Sequence, residues 1–169
     1  MAISVSWDEY NGSPAYASPS AEDLLHTHWG STDTALLDPQ EARIASGENS
    51  FNKQQAVRFS GFGGESVDNF TLWCEDLSAD GIIQKRDGTD SGHRLYYKDT
   101  GAKTTSAPSE SAIGSGVLMP VAQPGSPNIE GGPFTVDGDG TNVFLTQIQC
   151  GTAVLESYGL LLSFEFEIA

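Results

Sequence analysis

At 169 residues the chain has the length of one domain, and its net charge of −15, from 8 basic and 23 acidic side chains, argues against direct binding to nucleic acid or anionic lipid. Hydrophobic content of 38% with 19 glycines suits a β-protein with many turns. A chain this long closes a core without needing a disulfide or a metal.

Ile3–Trp7 alternates apolar and polar residues, with Ile3, Val5 and Trp7 on one face, and reads as an opening strand. The Met1–Trp7 stretch has neither the basic start nor the apolar run of a signal peptide, so synthesis and folding in the cytosol are expected. Cys74 and Cys150 are then expected as reduced strand residues, with a single disulfide between them left open. No apolar run approaches membrane-spanning length. Asn11-Gly12-Ser13-Pro14 ends the first strand. Ser20–His28 starts like a helix, with Ser20 as N-cap, but a single turn or a β-edge fits equally. Gly30–Asp38 reads as loop, and Pro39–Ile44 as a short turn of helix.

Arg43–Trp73 is the most telling block. Gly47-Glu48-Asn49-Ser50 supplies a turn. In Phe51–Phe59, Phe51, Val57 and Phe59 share one parity with Lys53 and Gln55. Asn52, Gln54, Arg58 and Ser60 take the other, which is the period of a half-buried strand. Gly61–Gly64 is the loop after it, and Val67–Cys74 the next strand. Gly81–Lys85, Gly92–Lys98, Gly116–Val121 and Asn142–Cys150 read as further strands. Pro124–Pro133 reads as a proline and glycine connector. Residues 101–116 are small and polar and cannot build a core. In Ser157–Ile168, Leu160, Leu162, Phe164, Phe166 and Ile168 alternate with Leu161, Ser163, Glu165 and Glu167. Seven to nine strands with little helix predict an all-β protein, an antiparallel β-sandwich of jelly-roll or immunoglobulin-like type. Residues 1–169 form one domain in this reading, with an exposed low-complexity loop at about 99–116.

Chemistry-bearing motifs are sparse. His26-Thr27-His28 places two imidazoles on one side of a strand, and His93 or a carboxylate would have to complete a metal site. No third ligand has the spacing for it. Asp137-Gly138-Asp139-Gly140-Thr141-Asn142 resembles a fragment of a calcium loop, but Thr141 is not a strong ligand, Asp-Gly is a favoured turn pair and strands flank it. No serine sits in a nucleophile elbow, and Gly61–Gly64 lacks the lysine of a phosphate loop. Neither catalytic residues, cofactor nor resident metal are expected, with Asp137, Asp139, His26 and His28 as the residual metal candidates. Trp7, Trp29, Trp73 and the Tyr96-Tyr97 pair could stack on sugar rings, but aromatics in strands are more often core or interface residues; Trp29, Tyr96 and Tyr97 are the platforms a carbohydrate-binding role would use.

Several segments, in order, resemble a group of small tailed-bacteriophage virion proteins. They are Val5-Ser6-Trp7-Asp8-Glu9-Tyr10-Asn11-Gly12, then Trp29-Gly30-Ser31-Thr32-Asp33, and Ile44–Lys53 (IASGENSFNK) with Arg58-Phe59-Ser60-Gly61. Val67-Asp68-Asn69-Phe70 with Trp73, Pro124–Ile129 and a final strand ending in Phe-Glu-Phe-Glu follow. Residues 75–116 depart from the pattern. The resemblance implies a non-enzymatic β-sandwich component of a virion. A capsid decoration or cement protein that docks on the major capsid protein, or on other virion proteins, is the first expectation. Such a subunit is expected to be homo-oligomeric, as a trimer or dimer with the trimer preferred, to be assembled in the host cytoplasm, and to contact neither nucleic acid nor membrane. Lys53 and Arg58, with Trp29, Tyr96 and Tyr97, are the expected interface residues. The alternatives are a carbohydrate-binding or adhesin-like sandwich and a neck, tail or baseplate protein.

Overall fold

The computed structural model describes residues 2–11, 28–33, 42–84, 90–103, 111–113, 116–151 and 160–169. Eight strands run through them: β1 (Ser4–Glu9), β2 (Lys53–Ser60), β3 (Val67–Cys74), β4 (Ile82–Gln84), β5 (Asp90–Asp99), β6 (Val117–Leu118), β7 (Phe144–Gln149) and β8 (Leu162–Ile168). Every pairing is antiparallel, and no helix occurs among the described residues. The protein is all-β. The larger sheet has the order β1-β2-β7-β5-β4, with β6 on the same edge of β5 as β4 but further along it. The smaller sheet is β3-β8.

The two sheets meet through aromatic rings. Phe59 of β2 lies 5.2 Å from Phe134, 6.4 Å from Phe70 and 5.1 Å from Phe166. Trp7 of β1 touches Phe144 and Phe164 at 5.5 and 5.8 Å. Val57, Leu72, Leu95, Phe144 and Ile83 close the same core. The alternation read in Phe51–Phe59 and Ser157–Ile168 fills it in part: Val57 and Phe59 are buried, and Leu160, Leu162, Phe164 and Phe166 pack against the core, while Ile168, expected on the same side, is exposed. A second, smaller cluster lies on the other face of the large sheet, where Tyr10, Ala56 and Val143 are buried together.

Loops complete the sheets. The Pro124–Pro133 connector follows the free edge of β3. Phe134 exchanges both backbone bonds with Val67, and Pro120 O accepts the Cys74 N–H. The Asn128 side chain both accepts from Leu72 N and donates to Leu72 O, each at 2.8 Å. The expected strand at Gly116–Val121 shortens to Val117–Leu118, because Pro120 has no N–H to give. Gly140 packs its Cα against the Val57 carbonyl, where a Cβ would collide, so β2 has a second neighbour there.

Some expectations fall on other residues. Ala42–Ile44 is not helical, while Pro39–Glu41, most of Ser20–His28, Lys85 and Ser157–Gly159 lie outside the described residues. Residues 104–110 and 114–115 of the low-complexity stretch do too. Within that stretch Ile113 is buried, and its N–H donates to Gln147 Oε1 at 3.1 Å.

Candidate functional site

The first two strands are joined by a polar lock on both faces. Alternation along β1 sends Asp8 and Tyr10 to one side and Glu9 to the other. Along β2 it sends Arg58 and Lys53 to those same two sides. The register sets Ser6 opposite Arg58 and Glu9 opposite Gln55, so each cation reaches its carboxylate diagonally.

On the core side Lys53 Nζ donates to Glu9 Oε1 at 2.8 Å, and both side chains are closed to solvent, at 0% and 1% exposure. The expectation that Lys53 serves as a surface contact is therefore corrected. Its parity placed it with Val57 and Phe59, and a buried ammonium persists there because a carboxylate is supplied across the strand. Beside it, Trp29 Nε1 donates to Thr146 Oγ1 at 3.1 Å, and that hydroxyl donates to Gln55 Oε1 at 3.0 Å.

On the opposite face Arg58 Nε donates to Asp8 Oδ2 at 2.7 Å, Nη1 to Gly138 O at 3.0 Å, and Nη2 to the Tyr10 hydroxyl. The guanidinium also lies over the Tyr10 ring. Ser6 Oγ gives Asp8 a further bond at 2.7 Å. Burial weakens the hold of Arg58 on its proton, but Tyr10 and Asp8 outweigh this and raise its pKa. Asn11 finishes the lock: its side chain donates to Asn52 O and Asp33 and accepts from Gln54 N.

Other sequence candidates are dispersed. Tyr97 is 8% exposed and part of the core, which corrects its reading as an interface aromatic; the inward parity of β5 took it there. Tyr96 is half-buried on the other side of the same strand. Trp29 is half-buried, with its N–H committed to Thr146. Asp137 accepts the Gly61 N–H at 2.7 Å, and Asp139 pairs with Lys103. Both serve a turn closed by Asp139 N–H to Val136 O. His26 lies outside the described residues, His28 is half-buried, and His93 Nδ1 accepts from Gly151 N. Among the described residues no three of His, Cys, Asp and Glu come together as metal ligands. Cys74 and Cys150 are free thiols, and burial pushes each up to about 11.

Asp8, Glu9 and Asn11 were not singled out one by one from the sequence. The signal was available in the facing parities of acids in one strand and cations in another, but it required knowing that β1 and β2 are partners. Chemically the arrangement neutralises charge inside a sheet; its carboxylates are bonded to cations, a hydroxyl and an amide. Comparison with protein-family models, with curated proteins and with solved structures finds no match.

Proposed function

We propose that the chain is a non-catalytic structural component of a tailed-phage virion, in the first instance a capsid decoration protein that docks on the head lattice and stabilises it. The observation that carries this reading is the ordered set of segments resembling small phage virion proteins. The geometry supports it by giving that wording a scaffold role: Asp8-Glu9-Tyr10-Asn11 of one segment bonds to Asn52, Lys53 and Arg58 of another. A subunit bound at many lattice positions stabilises the particle by mass action, and repeated copies add avidity.

Mass spectrometry of purified virions, with copy number from band density, tests the proposal. Many copies per particle are expected. A handful of copies would place the chain at the neck or tail instead, against the decoration reading. Absence from particles would overturn it altogether.

A further inference from the structure

Among the described residues the last strand of the small sheet, β8, pairs on one side only, with β3. Ala169 exchanges both backbone bonds with Ser66, and beyond the bulge Glu165 and Ser163 stand opposite Thr71 and Trp73. Leu72, opposite Phe164, turns its N–H and C=O away to Asn128. By the alternation of an antiparallel ladder, Leu162, Phe164, Phe166 and Ile168 point their backbone groups away from β3. Nothing among the described residues pairs with that edge. The other edge of the same sheet is covered by Pro120, Asn128 and Phe134, and β4 is covered by Leu77 and Ser78.

The two faces of β8 differ in chemistry. Phe164 and Phe166 face the core yet stay partly exposed, while the rings they pack on, Phe70 and Phe59, are closed. The outer face carries Glu165 and Glu167, whose described partners are the neutral amides of Gln123 and Asn69. Lys and Arg are absent from residues 59–84 and from every position after Lys103. Antiparallel pairing of β8 with a second copy would set these carboxylates against each other, which disfavours a homodimer at this edge.

We propose that β8 accepts an extended segment of a partner protein as a third strand of the small sheet. Main-chain bonds to Phe164 and Phe166 would supply the grip, and side chains the choice. The segment would alternate apolar residues, laid on Phe164 and Phe166, with Lys or Arg, laid on Glu165 and Glu167. The inference rests on the reading of the chain as a docking subunit, and names the surface that docks.

The test uses the full-length protein and a capped heptapeptide of alternating valine and lysine, with a scrambled peptide of the same composition as control. Amide hydrogen exchange is followed by NMR. The alternating peptide is expected to slow exchange at Leu162, Phe164, Phe166 and Ile168 at least tenfold, and the scrambled one to leave it unchanged. Glu165→Lys with Glu167→Lys is expected to weaken binding at least tenfold; should that variant not fold, the paired Glu→Gln changes replace it and are expected to weaken binding severalfold. No protection at these amides, equal protection by both peptides, or unchanged binding by the folded variant overturns strand addition. So does a concentration-dependent dimer in which these amides are already protected. Virion mass spectrometry scores the docking reading separately: a chain abundant in particles but indifferent to the peptide sinks this inference alone.

Discussion

Lys53 and Arg58 lie five residues apart on β2, and the sheet treats them differently. Lys53 is closed to solvent beside Glu9, whereas Arg58 keeps 36% of its side chain exposed beside a buried Asp8. Removing one partner of a closed pair leaves the other charge buried without its counter-ion. Lys53→Met is expected to cost about 3–5 kcal/mol in denaturant unfolding, and the double change with Glu9→Leu to recover most of it. Arg58→Ala is expected to cost about 1–3 kcal/mol, because Asp8 stays buried without its cation. Arg58→Lys is expected to recover only part, since an ammonium cannot hold Asp8, Gly138 and Tyr10 in one planar fork. A loss for Arg58→Ala as large as for Lys53→Met would show that the two faces of β2 are equally closed. The thiols add a pH dependence. Burial raises Cys74 from about 9 to about 11, so the unfolded chain releases this proton first. The contribution of this thiol to stability is then full below pH 9 and is lost as pH rises toward 11. Cys74→Ala is expected to flatten that decline relative to wild type in thermal melts at pH 8 and 10.5.

The strands themselves were largely legible. Val67–Cys74 is β3 residue for residue, and the alternation of Phe51–Phe59 and Ser157–Ile168 named most of the inward side chains, with Ile168 the exception. Period two needs only local sequence. Partners were not legible: β3 pairs with β8 and β1 with β2 across long stretches, and nothing local states the register. That is why Lys53 read as surface and Tyr97 as interface; parity gave the face but not what covers it. Nor did composition disclose that the Pro124–Pro133 connector blunts an edge. Asn128 does this with one side-chain amide that satisfies both backbone groups of Leu72. Asn128→Ala leaves those groups without this partner. An expected loss of about 1–3 kcal/mol should appear with faster hydrogen exchange at Leu72 and unchanged exchange at Val57. Equal acceleration at both amides would mean that the strap stabilises the whole fold rather than one edge.

At the scale of the whole molecule the charges are unevenly spread. Lys53 and Arg58 are committed to Glu9 and Asp8 within the large sheet, while Asp68, Glu75, Asp76, Glu165 and Glu167 belong to the small sheet and its turn with no Lys or Arg among its strands. Like charges on that exposed face repel in the folded state more than in an expanded chain. Added salt screens exposed charges: the Debye length shrinks from about 30 Å at 0.01 M to about 3 Å at 1 M. It acts far less on the closed Glu9–Lys53 pair. Screening should therefore relieve the repulsion and leave the lock intact. Raising sodium chloride from 10 to 500 mM is expected to lift Tm by several degrees, on the order of 1 kcal/mol for a chain of this length. Glu165→Gln with Glu167→Gln should raise Tm at low salt and shrink the salt response. A Tm that falls with salt would mean that surface attraction between opposite charges, not repulsion on the small sheet, dominates the electrostatics of the fold.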